Sequence, residues 1–181
     1  MRNGRAIELS SKTSGFMKYV ALTPRCVPLT PRCVPHAQKV AIQADGKIVV
    51  MGQSYSSTFT NQAATVARYN ADGTLDTTFG SPNGYVTDTR MNDPLAMALQ
   101  SGKVVVAGGA IVGPIYQFAM LRFGTDGVAD STFGTPDGYV LTTIGTSPYP
   151  YATAIDGNGK IVVAGGQGSG TAAYFVVRYL P

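Results

Sequence analysis

Oxygen-bearing side chains occupy every second position in one short stretch of the chain. The stretch comprises Asn70, Asp72, Thr74 and Asp76. This spacing resembles the beginning of a calcium-binding loop. The equivalent stretch, 124–130, keeps only the two Asp, and neither copy continues to the terminal Glu of a twelve-residue loop. We therefore expect no metal site here and interpret Asp72 as a turn residue and Asp76 as a cap, with the calcium loop as the alternative.

The chain carries few of the residue types on which catalysis depends. Its one His is His36, its only Glu is Glu8, and its Cys residues are Cys26 and Cys33, all in the N-terminal fifth of the chain. The remaining sequence cannot supply a His-based triad, and a carboxylate pair would need Asp alone. Two Cys and one His are too few for a zinc site, and the Gly-rich stretch 165–170 lacks the G-x-G-x-x-G spacing. We predict no catalytic residue and no cofactor.

Three Arg and two Phe recur in phase. Arg68, Arg122 and Arg178 each precede an aromatic residue in the same repeated motif, and Phe79 and Phe133 each lie in a "TFG" triplet. One interpretation is a functional arginine ring around a channel. We favour the other, in which each Arg contacts the Asp of its own repeat and each Phe wedges between neighbouring units.

These residues are positioned by an internal repeat. The octet "DGKIVVMG" at 45–52 returns as "SGKVVVAG" at 101–108 and "NGKIVVAG" at 158–165. Gly46, Gly102 and Gly159 anchor the copies at nearly even spacing, and the repeat cores lie near 46–50, 102–106 and 159–163. "ARYNADGTLDTTFG" at 67–80 matches "LRFGTDGVADSTFG" at 121–134. Self-similarity at a fixed period indicates a repeat architecture.

Each repeat reads as four short antiparallel strands. Asp45-Gly46 and Asn158-Gly159 predict a tight hairpin, and Ser101-Gly102 gives a weaker signal for the same turn. The apolar core strand that follows should be buried on both faces. A third strand ends at each in-phase Arg, and a fourth begins at Tyr85 or Tyr139. The predicted fold is all-β, a partial β-propeller of about two and a half to three four-stranded blades.

The motifs also resemble a known family. "Q-x-D-G-K-I-V-V-x-G", "A-R-Y-N-x-D-G-x-L-D-x-T-F-G" and "G-Y-V-T", in that order, are similar to the bacterial delta-60 repeat, over about residues 37–181. The resemblance implies a β-propeller-type repeat of uncharacterised function. It also implies large multi-repeat proteins that are often secreted or attached to the cell surface. It carries no catalytic residue over to this chain.

Residues 1–36 differ from the repeats. They contain a duplicated heptapeptide, "LTPRCVP", at 22–28 and 29–35, whose prolines oppose helix and strand pairing. We interpret this segment as a disordered or non-native leader. Seven of the fourteen Lys and Arg lie in residues 1–40, so the repeats carry no basic patch and we expect no nucleic-acid partner. The apolar stretches 16–22 and 104–115 indicate neither a signal peptide nor a membrane span.

The expected function is a binding surface or scaffold without enzymatic activity. Closed propellers have about four to eight blades, so we expect this chain to be a fragment of a larger bacterial protein, or a subunit that closes a ring by self-association. Its partner would be a protein or a glycan, together with further blades. The alternative is a propeller enzyme of lyase or hydrolase type whose catalytic blade lies outside this chain.

Overall fold

The computed structural model describes residues 36–55, 62–168 and 173–180. These residues form three antiparallel sheets, which we call blades 1, 2 and 3. Blade 1 consists of β1 (His36–Ile42), β2 (Ile48–Tyr55), β3 (Gln62–Tyr69) and β4 (Tyr85–Asp88). Blade 2 consists of β5 (Asp93–Gln100), β6 (Lys103–Val112), β7 (Ile115–Phe123) and β8 (Tyr139–Thr142). Blade 3 consists of β9 (Pro148–Ile155), β10 (Ile161–Gln167) and β11 (Tyr174–Tyr179).

The strands follow chain order within each blade, and short helical turns at Gly80–Gly84 and Gly134–Gly138 precede the fourth strands. The predicted all-β, partial-propeller fold is confirmed. No helix among the described residues has the length and apolar character needed to cross a bilayer. The leader up to residue 35, with both Cys and the duplicated heptapeptide, lies outside the described residues.

The blades pack face to face, and their first strands are innermost. β5 contacts both β1 and β9. One apolar cluster joins blades 1 and 2, and a second joins blades 2 and 3. Consequently the three Val residues at 104–106 of β6 are all fully buried, as predicted for a core strand. In β2, Val49 and Met51 are buried but Val50 is only half-buried, because the described residues place a neighbouring blade on one side of blade 1.

The Gly that ends each repeated octet has a structural cause. Gly52, Gly108 and Gly165 each lie opposite a β-bulge in the innermost strand of their own blade. A Cβ on these residues would lie 2.0–2.3 Å from a carbonyl oxygen of that strand. Only Gly permits this approach, and the bulge re-aims the neighbouring side chains of the innermost strand.

The three hairpins differ more than the sequence indicated. β1–β2 and β9–β10 are joined by five residues, whereas Ser101-Gly102 alone joins β5 to β6. Ser101 and Gly102 have φ of 50° and 81°, the left-handed pair that a two-residue hairpin requires. The weakest turn signal therefore forms the tightest turn, because the second copy is one residue shorter at this point.

The first strand begins one residue earlier than expected. His36, which we expected in the leader, pairs with Gln53 as the first residue of β1. β1 is largely exposed, with Val40 and Ile42 67% and 71% accessible. Val176 of blade 3 is 70% accessible. Apolar blade faces therefore remain uncovered by the described residues.

Candidate functional site

The strand directions give the blades two ends. The lower end carries the hairpins at Gly46, Gly102 and Gly159 and the connections from third to fourth strands. The upper end is where the innermost strands begin, at His36, Asp93 and Pro148. Most residues that the sequence singled out lie at the lower end.

The lower end of blade 1 is organised around the buried carboxylate of Asp76. Its Oδ2 accepts from Arg68 Nε at 2.7 Å and Lys47 Nζ at 2.9 Å, and its Oδ1 accepts from Thr78 N at 3.1 Å and Thr78 Oγ1 at 2.6 Å. The Arg68 guanidinium also lies 4.7 Å from the centre of the Phe79 ring. Burial alone would raise the pKa of Asp76, but hydrogen bonds from Thr78, Lys47 and Arg68 outweigh it and hold the pKa well below its usual range.

Blade 2 repeats this arrangement around Asp130. Its Oδ2 lies 2.7 Å from both Lys103 Nζ and Arg122 Nε, and its Oδ1 accepts from Thr132 N at 3.1 Å. Arg122 lies 4.7 Å from the centre of the Phe133 ring. Burial opposes ionisation of Asp130, but Lys103, Thr132 and Arg122 together lower its pKa. In both blades the Arg contacts the Asp of its own repeat, and the Phe packs between blades.

The third in-phase Arg lies in a different setting. Arg178 pairs with Val162 across the β10–β11 ladder, and it is exposed. The described part of blade 3 contains no counterpart of Asp76 or Asp130. The structure therefore brings two of the three Arg into equivalent networks, and it does not form an arginine ring from them.

The calcium-loop stretch is divided between two environments. Asp76 faces the ion pairs just described. Asp72 Oδ1 accepts from Thr74 N at 2.9 Å, and Asn70 Nδ2 donates to Thr74 Oγ1 at 3.0 Å, so these three side chains close an exposed turn. No group of three His, Cys, Asp or Glu that could hold a metal ion occurs among the residues that the structure describes.

Hydrogen bonds between blades also repeat at the lower end. Gln43 Nε2 donates to the Gly102 carbonyl at 2.9 Å, and Gln100 Nε2 donates to the Gly159 carbonyl at 2.6 Å. Each Gln thus reaches the hairpin of the next blade. Neither residue was expected from the sequence to have a role, although a Gln stands before the hairpin Gly in the first two copies. The third copy has Asp156, which instead accepts from N–H groups of its own turn.

A cavity of about 510 Å³ opens beside this end, between β4 and the turn 126–128 of blade 2. It is lined largely by turn residues, among them Gly80, Ser81, Asn83 and Gly127. Among the described residues that line it, Asp126 is the one with a charged side chain. The cavity therefore has room for a small ligand, but few of its lining side chains could act as catalytic groups.

The upper end does not repeat. Equivalent positions lie one pair beyond the octet Gly of each blade: His36 lies opposite Gln53, Asp93 opposite Gly109 and Tyr149 opposite Gly166. The bulge then places a further residue of a different type in each blade. In blade 3 this residue is Tyr151, which is 63% exposed. Side chains at this end are thus set blade by blade, while the backbone that carries them repeats.

Blades 2 and 3 together form a row of aromatic rings at the upper end. Tyr116 and Tyr149 have ring centres 5.2 Å apart with planes inclined by 31°, and Tyr149 and Tyr151 have centres 6.5 Å apart with planes inclined by 11°. The Tyr116 hydroxyl donates to Asp93 Oδ2 at 3.1 Å. Burial raises the pKa of Tyr116, and the Asp93 charge raises it further. We call these four residues the tyrosine row.

Blade 1 has different chemistry at the same level. His36 and Tyr55 meet edge to face with ring centres 5.4 Å apart. The Tyr55 hydroxyl donates to Gln53 Oε1, and Gln53 Nε2 donates to the Asn92 carbonyl and, at 3.0 Å, to Gln62 Oε1. No sequence signal identified this group or the tyrosine row, because each joins residues from distant parts of the chain and neither repeats in another copy.

The comparison with known families agrees with this geometry. Residues 43–79 and 99–133 match the family described as "Domain of unknown function (DUF5122) beta-propeller". The two matches run from the hairpin region to Phe79 and Phe133, and so span the lower-end networks. None of the curated proteins compared with the chain matches it. The finer delta-60 name stays a prediction, while the matched segments show that this chain is similar to a β-propeller-type repeat family.

Proposed function

We propose that this chain is a β-propeller binding module without enzymatic activity, and that it binds its partner at the upper end of blades 2 and 3. One observation carries the proposal: blades 1 and 2 have the same lower-end network, and all three blades have different upper-end side chains. Positions that recur from unit to unit serve stacking between units, since each repeat packs only against its neighbours. Positions that change from blade to blade are those that a particular partner can select.

The chemistry of the upper end suits binding. The tyrosine row presents aromatic faces, hydroxyl groups and one carboxylate, the combination that orients a ligand in many protein sites. The strand backbone already holds its rings in place. Binding therefore costs less conformational entropy than it would if a long loop carried them. The partner is a protein or a glycan, and the proposal includes the secreted or cell-surface location that the family resemblance implies.

A screen with two matched variants tests this proposal. The purified chain is passed over one library of peptides and one of oligosaccharides. Any ligand found is then measured against Tyr151→Ser at the upper end and Asp126→Asn at the lower end. We expect binding to fall in the Tyr151 variant and to persist in the Asp126 variant. Ligand binding that depends on Asp126, or turnover of a polysaccharide by the native chain, would count against the proposal and would favour the enzyme alternative.

We also propose that further blades of the same type cover the exposed faces of blades 1 and 3, in cis or from a second copy. The support is the apolar surface of Val40, Ile42 and Val176 together with the bonds from Gln43 and Gln100 to the next hairpin. Light scattering coupled to gel filtration checks the second-copy form. A defined dimer that Val40→Lys converts to a monomer is the expected result, and a stable native monomer that unfolds cooperatively contradicts it.

A further inference from the structure

We propose that the tyrosine row binds a neutral glycan, by stacking the C–H face of a pyranose ring on Tyr149 and Tyr151 while Asp93 accepts hydrogen bonds from sugar hydroxyls. This inference rests on the proposed binding function and names its ligand. Within the described residues, the row brings one exposed ring, two half-buried rings and a carboxylate together on strands.

The ring geometry favours a flat ligand face. Tyr149 and Tyr151 are nearly parallel, and a centre separation of 6.5 Å means that they are offset and not directly superposed. Tyr149 is half-buried and Tyr151 is exposed, so both rings keep accessible surface. An aromatic cage for a cation needs rings on several sides of the charge. The Tyr149 and Tyr151 rings are instead nearly parallel and offset, so they do not surround a common point. A pyranose ring presents an apolar face of matching breadth.

Exposure of the row follows from the backbone. Tyr151 lies at the bulge opposite Gly165, and its side chain is 63% exposed. Because its ring adjoins that of Tyr149, the two form one contiguous aromatic surface, and contiguous apolar surface of this kind marks interaction sites. Beneath it, a Cβ on Gly166 would lie 3.6 Å from Tyr151 Cε2, so the Tyr151 ring rests on a position that has no side chain of its own.

Tyr116 fixes the inner end of the row. A Cβ on Gly109 would lie 1.9 Å from the Tyr116 hydroxyl oxygen, which shows that the Tyr116 ring crosses directly over that Gly to reach Asp93. The Tyr116 ring also packs against the Tyr149 ring. Tyr116 is thus a positioning residue for Tyr149 and for the carboxylate.

Asp93 supplies the polar edge of the site. It makes no ion pair with any Lys or Arg in the described part of the chain. Tyr116 occupies Oδ2, so Oδ1 remains to accept from a sugar hydroxyl. A carboxylate beside stacked rings favours a neutral sugar over an acidic one, because a uronic acid or a phosphate would be repelled.

The test is calorimetric titration of the full chain with cellotetraose, chitotetraose, mannotetraose and galactotetraose. Three variants accompany the native chain: Tyr151→Ala, Asp93→Asn and the control Val128→Ala. Val128 is 62% exposed and lies in a turn at the lower end of blade 2, so its truncation matches the loss of exposed apolar surface without touching the upper end. We expect at least one tetrasaccharide to bind, with affinity about fivefold to tenfold weaker after Tyr151→Ala, as loss of one aromatic contact implies.

Asp93→Asn removes the charge of the acceptor and keeps its oxygen, so this variant should bind more strongly than Tyr151→Ala does. Thermal melts of each variant establish that the fold is retained. Equal affinities of the native and Tyr151→Ala proteins would refute the proposal that the tyrosine row is the binding site. If none of the four tetrasaccharides binds, the proposal that the ligand is a glycan is refuted. Binding of a peptide that depends on Tyr151 would refute a glycan as the ligand, and the proposed binding function at the upper end would still hold.

Discussion

The buried carboxylate of Asp76, at the lower end of blade 1, allows a quantitative prediction. Replacing Asp76 by Asn keeps the shape of the side chain and removes its charge. The Asn oxygen can still accept from Thr78. The bonds from Arg68 Nε at 2.7 Å and Lys47 Nζ at 2.9 Å lose their charged acceptor, and the buried guanidinium loses its counterion.

The size of the effect follows from burial. A hydrogen bond between charged groups contributes about 1.5–3 kcal/mol, and a partly exposed one contributes less. Arg68 and Asp76 side chains are 7% and 4% exposed, whereas Lys47 is 30% exposed and can be rehydrated. We therefore assign most of the loss to the Arg68 pair and expect Asp76→Asn to lower the free energy of unfolding by about 2–3 kcal/mol.

The same carboxylate makes stability depend on pH. The unfolded chain ionises Asp with a pKa of about 3.9, and the folded state holds the pKa of Asp76 well below that value. The folded state therefore binds fewer protons, so the stabilisation is fully present at pH well above the unfolded value. It is lost as the pH falls below about 4 toward the folded pKa. We call the fall in the free energy of unfolding below about pH 4 the acid limb, and this fall should be smaller in Asp76→Asn.

The assay is urea unfolding of native, Asp76→Asn and Asp45→Asn proteins between pH 3 and 7. Asp45 is an exposed turn residue whose carboxylate caps the Lys47 N–H at 3.1 Å, a role that Asn can fill, so its variant should stay within about 0.5 kcal/mol of native. A loss below about 0.5 kcal/mol for Asp76→Asn at pH 7, or an unchanged acid limb, would refute the ion-pair reasoning.

Three further predictions concern stacking of the blades. Gly108→Ala should destabilise by about 2–3 kcal/mol in urea unfolding, because its Cβ would lie 2.3 Å from the Asp93 carbonyl oxygen. Gln100→Ala removes the bond to the Gly159 carbonyl and the acceptor of the buried Arg122 Nη1 at 2.9 Å, so it should cost about 2–4 kcal/mol, measured in the same way. Phe133→Ala leaves a cavity between blades 2 and 3 and should cost about 3–5 kcal/mol, seen also as a lower melting temperature.

Each of these has a matched control. Gly157→Ala meets nothing within 4 Å and needs no left-handed backbone, so it should be close to neutral and isolates the steric term of Gly108→Ala. Gln117→Ala removes a half-buried Gln from β7 and controls for Gln100→Ala. Tyr174→Ala removes an aromatic ring that is 97% exposed and should leave stability unchanged. Equal losses in a variant and its control would contradict the corresponding contact.

Much of the lower end could be predicted because its signals are local or repeat along the chain. Arg68 and Arg122 each lie a short distance before the Asp that they contact, so one repeat unit contains the whole ion pair. The starts of the fourth strands, at Tyr85 and Tyr139, were also correct. Ser101-Gly102 gave only a weak turn signal in the sequence, yet it forms the tightest hairpin because the second copy is one residue shorter there.

The upper end was not predictable from the sequence. Tyr116 and Tyr149 are distant in the sequence and belong to different blades, so only the stacking of blade 3 on blade 2 brings them together. The bulges that re-aim Tyr151 depend on backbone pairing across the sheet. The Gly residues that permit them are visible in the sequence, but the strand that approaches them is not.

The sequence by itself determined the repeat, the all-β class and the residues that hold each blade together, because these depend on patterns within a single repeat unit. Tertiary structure alone decided which blade faces meet, which carbonyl each Gln reaches and which rings form a continuous row. Contacts of that kind join residues of different units. Their geometry depends on the twist and spacing of whole sheets, which no local pattern records.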